Sequence, residues 1–365
     1  MANEILTPSI IAKEALMVLR NNTVMASLVH RDYSGEFNKV GDTITIRKPA
    51  EFEAKEFIEE IEVQDAKEQS LSVKMDKHLD VSFAVTAKEK TLDIADFSRQ
   101  FITPAMQSFA QKIDTYLVDL YSGINNFVAR SATADIKDIA NCGKVLNQNA
   151  VPNNNRRMVL SPGAYADYVV LPPILNAEKS GSTEALRNAS MGKILGFDTF
   201  MDQNIKTHTS GTLGSCKVKT QAEIGATTIT LTNTTLTGNL VKGDIITING
   251  DTAQYLITQA AEASENDITV SIYPGLKMQA KANAAVTLAG AGEQNLAFHK
   301  NAFALVTRSL ELPEGGVKSS IVNYDGFGLR VTMDYDITHK KDVVSIDMLC
   351  GTAILDPRLA CRLIG

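Results

Sequence analysis

Two carboxylates, Asp114 and Asp119, sit on the longest helical pattern in the sequence, and paired carboxylates are common material for general acid–base chemistry. Charges on a helix are more often solvated or locally paired, and that is the expectation for both. Asp76-x-His78-x-Asp80 sets three potential metal ligands on one face of a strand, since strand side chains alternate with period two. A metal site needs more than that, so a polar outer face is expected there. His30, His78, His208, His299 and His339 stand apart, each without an evident partner, and read as surface or structural residues. Cys142, Cys216, Cys350 and Cys361 are scattered with no CxxC pair. That fits a reducing compartment and argues against a disulfide framework or a zinc site. The sequence holds no Gly-x-Gly-x-x-Gly, phosphate loop, HExxH or Gly-x-Ser-x-Gly. No catalytic, cofactor-binding or metal-binding residue is therefore assigned. A structural or interaction role is expected in place of an enzyme.

The chain of 365 residues carries a formal net charge of −6. Binders of nucleic acid or of anionic membranes cluster Lys and Arg, and no such cluster is present. No apolar run approaches the roughly 18 residues that span a bilayer, and the N-terminus lacks the basic and apolar regions of a signal peptide. These features place synthesis and use in a cytoplasm, or release from one by lysis.

The elements that would position any site begin with the stretch Asp93–Tyr121. Phe97, Phe101, Ala105, Phe109, Ile113, Leu117 and Leu120 recur at helical spacing. Thr103-Pro104 reads as an N-cap followed by proline at the first helical position. The pattern predicts a short helix over Asp93–Phe101, a break, and a helix over Pro104–Tyr121 of about 27 Å, ended by a left-handed Gly123. Thr7-Pro8 opens an apolar N-terminal helix, to be covered by its own core or by a neighbouring subunit. Strands are expected at Asp42–Lys48 and along Ser72–Val85, the latter as one long strand with Val73, Met75, Leu79, Val81, Phe83 and Val85 on one face. Between them, Glu51–Glu68 holds eight acids against two lysines and reads as a projecting arm.

Further on, a helix is expected at Asp135–Gln148 and a strand at Met158–Ser161. Ser161-Pro162 should cap a second helix, ended by Pro172-Pro173, and Ser182 should cap a third. Met191–Ile205 reads as a turn and strand. Between Phe200 and Phe298 there is no Phe or Arg, and threonine dominates. Short alternating runs at Thr227–Leu231, Asp244–Asn249, Gln254–Thr258, Ile268–Tyr273 and Val286–Leu288 are punctuated by Gly turns. They predict a small all-β barrel or sandwich inserted at Thr209–Gly292. Asn295–Gly316 returns to apolar helix- or strand-like patterning, and strands close the chain.

The order of these parts resembles the major capsid proteins of tailed double-stranded-DNA bacteriophages. The resemblance is carried by Val151-Pro152, Arg157, the strand Met158–Pro162, the segment Gly192–Phe200 and the return Ala297–Gly316. It implies an α+β fold of the Hong Kong 97 type, with residues 1–41 as N-terminal arm and 42–86 as extended loop and peripheral strands. Residues 87–132 would hold the spine helix, 133–208 and 293–316 the A-domain, 209–292 an inserted barrel of the Salmonella-podovirus kind, and 317–365 the closing strands. The implied function is a coat protein that assembles into pentamers and hexamers of an icosahedral virion shell, made in the host cytoplasm. Implied partners are copies of itself, a separate scaffolding protein and a portal. The shell would enclose double-stranded DNA without sequence-specific binding, and no cofactor, membrane or covalent crosslink is implied. A compartment shell of the encapsulin type, or an enzyme with a β-barrel accessory domain, are the alternatives.

Overall fold

The computed structural model describes residues 7–31, 43–47, 70–86, 97–324, 326–339 and 341–365. The acidic run Glu51–Glu68 and the start of the predicted short helix, Asp93–Asp96, lie outside them. The chain forms two units. One comprises Met1–Asn22, Arg31–Ala110 and Ala304–Leu355; the other Thr23–His30, Gln111–Phe303 and Asp356–Gly365.

In the first unit, helix α1 (Pro8–Asn22) opens on its proline, with the Thr7 carbonyl accepting from the Ile10 and Ile11 N–H groups. Ile11, Ala12, Ala15, Leu16 and Leu19 are buried along one stripe. They pack on the strands Lys318–Tyr324 and Phe327–Asp336, so the chain covers its own apolar helix. Burying each leucine contributes about 1.5–3 kcal/mol. The sheet beneath runs Phe303–Arg308, Lys341–Ile354, Phe327–Asp336, Lys318–Tyr324, and Lys77–Val85 also pairs with Lys341–Ile354. Val331 faces Ile346, which faces Val81 across the next ladder, so one apolar face crosses three strands.

The single long strand expected over Ser72–Val85 is two. Ser70–Lys74 pairs antiparallel with Thr43–Arg47, and after Met75-Asp76 the strand Lys77–Val85 joins the five-stranded sheet. Inward and outward residues keep the same parity through the break. The period therefore persists while the partner changes, and the sequence pattern cannot register the difference.

The predicted break before Pro104 is also absent. Phe97 leads into a π turn at Ser98–Ile102 that runs directly into α3 (Thr103–Val118). Thr103 is helical at φ −60°, ψ −50°, and its N–H donates to Ser98 O five residues back, so it is no N-cap. The wider π turn gives the Pro104 ring room where a regular turn would press it against the carbonyl of residue 100. Phe97 and Phe101 meet Phe83 of the sheet at ring separations of 6.3 and 5.6 Å. The helix ends in a 3-10 turn, Asp119–Gly123, followed by extended Ile124. Gly123 does not take the predicted left-handed conformation.

The second unit is built on a mixed sheet in the order Phe127–Ala129, Ala360–Ile364, Gly292–His299, Arg156–Leu160, Phe197–Met201, Lys193–Ile194. Helix α4 (Ile136–Gln148) is held at its start by a capping box of Asp135 and Asp138. Its buried Ile139, Cys142 and Leu146 pack with Met158, Leu160, Phe197, Ala297, Cys361 and Leu363. Ser161 caps the next helix through Ala164 N–H at 3.1 Å, as its sequence signature requires. Pro172 does more than end that helix. It opens a further short one, Pro172–Leu175. The return segment is strand, 3-10 turn and strand, with no α-helix.

Within this unit the threonine-rich stretch closes into a six-stranded antiparallel barrel. Its circuit is Thr228–Thr232, Asp267–Tyr273, Gln254–Ile257, Ile245–Ile248, Ala285–Ala289, Cys216–Val218. Ile229, Leu231, Ile246, Ile248, Tyr255, Ile257, Ile268, Val270 and Ile272 alternate inward and fill it. Cys216–Val218, too short to show alternation, went unpredicted.

Candidate functional site

On two barrel strands the outward-facing positions are apolar as well. Ile245 and Leu256 are cross-strand partners that point away from the barrel core, yet both are buried. They pack on Phe127 and Ile364 of the mixed sheet. The Gln254 side chain reproduces strand pairing at the free edge of Phe127–Ala129, accepting from Phe127 N–H at 2.7 Å and donating to Phe127 O at 3.0 Å. This is the seat of the barrel on the body of its own unit.

A buried polar cluster completes the seat. His208, at the entry to the insertion, shares a hydrogen bond of 2.9 Å between Nε2 and Asp244 Oδ1, and one of 3.0 Å between Nδ1 and Tyr121 Oη. Asp244 Oδ2 accepts from Val241 N–H at 2.7 Å and Gly211 N–H at 3.0 Å. Burial alone would push the Asp244 carboxyl up, but the hydrogen bonds from His208, Val241 and Gly211 outweigh it and hold the group below its ordinary range. An ionised Asp244 can only accept, so Nε2 of His208 donates to it, and in the Nε2–H tautomer Nδ1 accepts from the Tyr121 hydroxyl. Gly243 between them has φ +100°, and a Cβ there would stand 3.3 Å from His208 Cε1. The turn therefore favours glycine on two counts.

Arg362 enters from the C-terminal strand and is fully buried. Its Nη1 donates to Gly243 O at 3.0 Å and to Gln294 Oε1 at 3.3 Å, and its guanidinium lies 5.8 Å from the Tyr121 ring centroid. Gln294 Nε2 in turn holds Gly290 O and Gly292 O at the exit from the insertion, at 2.9 and 3.0 Å. Burial pulls the Arg362 guanidinium down to about 10, which leaves it charged at neutral pH. Nε and Nη2 have no hydrogen-bond partner among the described residues.

A Tyr–His–Asp chain resembles a nucleophile-activating relay, but its surroundings do not support that chemistry. The His208 and Asp244 side chains are 4% and 0% exposed, and cavities of about 600, 280 and 250 Å³ among the described residues are lined by other residues. What the cluster can do is hold entry, exit and one turn of the barrel at fixed positions on the sheet.

The other candidate residues fall elsewhere. Asp119 pairs with Lys206 at 2.5 Å on the surface, as expected for a helix charge. Asp114 is not solvated, and no cation among the described residues pairs with it. It is 2% exposed and accepts from Val24 N–H at 2.9 Å and Ala26 N–H at 3.1 Å, where α2 (Met25–Leu28) begins. Asp76 lies beside Lys77, His78 approaches Asp347 at 3.7 Å, and Asp80 accepts from Ser345 and Ser82 hydroxyls. Among the described residues no group of three potential ligands is arranged to hold a metal.

The histidines do have partners. His299 Nδ1 accepts from Asn301 N–H at 3.2 Å and His339 lies 2.6 Å from Asp336, while the backbone N–H of His30 donates to Phe303 O. All four cysteines are buried and free, and the Cys361 thiol donates to Arg362 O at 3.6 Å. Sequence reasoning took Lys242-Gly243-Asp244 for turn punctuation and passed over Arg362. A lone charge inside Ala360–Ile364, a strand otherwise free of charge and buried at every position, was the available signal.

No protein-family model and no curated protein sequence matches the chain. Solved structures do. A chain from Mycobacterium phage Che8 is 16% identical, with 93% of this chain and 90% of that chain covered and a TM-score of 0.53. The capsid structure of the cyanophage P-SCSP1u is 11% identical over 90% of this chain and 84% of that one, with a TM-score of 0.47. The mature capsid of bacteriophage PhiM1 is 9% identical over 89% and 82%, with a TM-score of 0.45. At such identities a likeness speaks to the fold alone. The chain has the mixed helix-and-strand shell fold of the Hong Kong 97 type, and it carries a closed six-stranded barrel.

Proposed function

We propose that the protein is a major capsid protein whose copies assemble, as pentamers and hexamers, into the icosahedral shell of a tailed phage. The observation that supports this reading is the alignment of 93% of the chain with a solved tailed-phage chain at a TM-score of 0.53. Double-stranded DNA would be enclosed without sequence-specific contact, in keeping with a net charge of −6. A separate scaffolding protein and a portal would take part, and assembly would occur in the host cytoplasm before release in the virion. The barrel, of the Salmonella-podovirus kind, would be carried by each subunit as a seated appendage at Thr209–Gly292. The remaining divisions of the chain, from the N-terminal arm at 1–41 to the closing strands at 317–365, follow the same reading.

Electron microscopy of the purified protein, alone and co-expressed with its scaffold, is expected to show closed particles, spirals or sheets. A strictly monomeric protein under both conditions would sink the proposal. The excised segment Thr209–Gly292 is expected to fold alone, because its core closes within itself, but to self-associate through the uncovered Ile245 and Leu256. Circular dichroism without β structure would remove the barrel as an independent domain. A monodisperse monomer would show that those two residues do not form an adhesive seat.

A further inference from the structure

We propose that a cationic groove beside helix α4 receives the segment Glu311-Leu312-Pro313-Glu314 of a second copy of the chain, so that copies join head to tail. This contact belongs to the assembly proposed above and rests on it. The groove, about 600 Å³, runs along α4 and is walled by the turn between the strands Lys193–Ile194 and Phe197–Met201. Ala140 and Gly143, one helical turn apart, give it a low apolar side.

Its charge is of one sign. Arg156 is buried and donates from Nε to Pro152 O at 2.8 Å, and from Nη2 to Asn147 Oδ1 at 2.8 Å and Val151 O at 2.5 Å. Those acceptors are all neutral, and among the described residues Nη1 has none. Lys144 lines the same groove with no ion pair, and no acid lines it, among the described residues. The positive field reaches His299, whose imidazole is held below its ordinary value by burial and by the charges of Arg156 and Arg157.

The turn supplies an apolar wall. Leu195 and Gly196 have φ of +47° and +89°, the two-residue hairpin turn that favours Asn-Gly. Leucine is disfavoured in that region of backbone space, and Leu195 is also 55% exposed. Neither backbone preference nor burial accounts for it. A partner that covers it does.

Glu311–Glu314 has the opposite character. It lies outside any helix or strand, between Phe303–Arg308 and Lys318–Tyr324, and is held at its start where Arg330 Nη1 donates to Glu311 O. Leu312 is exposed, as are Glu311 and Glu314, which make no ion pair among the described residues. Pro313 stiffens the segment, so less freedom is lost on docking. Extended, it spans about 10 Å, and α4 from Ala140 to Asn147 rises by about the same. A leucine flanked by two carboxylates thus complements, in sign and length, an apolar groove with two cations. Groove and segment are different surfaces, and such heterologous contacts close into rings where the rotation permits.

Charge exchange in the full-length protein tests the contact. Lys144→Glu, and separately Glu311→Lys with Glu314→Lys, should each lower particle yield at least tenfold. All three together should restore it to within about threefold of wild type. Leu195→Gly should melt no lower than wild type, because glycine suits the turn, yet lower the yield. Wild-type yield in the separate exchanges, or no recovery in the combination, overturns the proposal. A second measurement needs no closed particles. The native cysteines are buried, so Lys144→Cys and Leu312→Cys in one chain should give, on mild oxidation at high concentration, a ladder of disulfide-linked oligomers on a denaturing gel. Either substitution alone should stop at dimer. A double variant that also stops at dimer, or closes only within its own chain, overturns the contact. A ladder from a protein that builds no particles would sink the icosahedral reading and leave the contact standing.

Discussion

Arg362→Ala is expected to destabilise the barrel-bearing unit by about 3–5 kcal/mol, the largest loss from any single side chain of the seat. Three effects combine. The Gly243 carbonyl and the Gln294 amide oxygen lose their common donor. A void opens beneath Tyr121. The barrel turn at Gly243 loses its tie to the C-terminal strand. Arg362→Met separates packing from charge. Methionine refills most of the space and needs no donors satisfied, whereas the buried arginine already leaves Nε and Nη2 without a hydrogen-bond partner among the described residues. More than half of the alanine loss should therefore be recovered, with a remainder of about 1–3 kcal/mol for the unpaired carbonyl. Denaturant midpoints for the two variants decide it. If methionine is no better than alanine, the charged hydrogen bond outweighs packing and this account of the seat is wrong.

The barrel was legible in the sequence and its seat was not, and the contrast has a physical cause. Strand alternation, Gly243 and Gly250 at left-handed turns, and the threonine-rich outer faces are local signals, readable within a few residues. The outward Ile245 and Leu256 look like ordinary strand residues until Phe127 and Ile364 are brought against them. Arg362 reaches Gly243 across 119 residues of chain, and His208 reaches Tyr121 across 87. No spacing rule spans such distances. Helix α3 shows the opposite failure. There the local rule spoke clearly, Thr-Pro as a helix start, and the burial of Phe97, Ile102, Ala105 and Met106 along one continuous stripe overrode it through a π turn. Asp114 belongs with the seat: a mid-helix aspartate reads as solvated until the amides of Val24 and Ala26 are seen to end on it.

Asp244→Ala is the complementary test, because it removes the acceptor at the centre of the seat where Arg362→Ala removes a donor at its edge. Three donors would be left without a partner: His208 Nε2–H, Gly211 N–H and Val241 N–H. Hydrogen bonds to a charged group contribute about 1.5–3 kcal/mol each when measured singly. They are not additive, and water would enter the opened site, so a total of about 3–4 kcal/mol is expected. The loss should be local. The barrel core does not involve Asp244 and should persist, while the crossover Thr209–Ser215 becomes open to protease and the Gly211 and Val241 amides exchange freely. Acid should imitate the variant. The folded Asp244 carboxyl lies below its ordinary value, so its contribution is complete above about pH 4 and is lost as pH falls through the folded value. Asp244→Asn keeps the shape and one acceptor oxygen, and should fall between wild type and alanine without the acid transition. In a shell, loosening the barrel on every subunit should lower particle yield more than it lowers the stability of the free chain, since each particle needs all its barrels seated together. Wild-type particle yield and unchanged Gly211 exchange in Asp244→Ala would show that the barrel is held by Ile245 and Leu256 alone, and that the polar cluster is incidental to the seat.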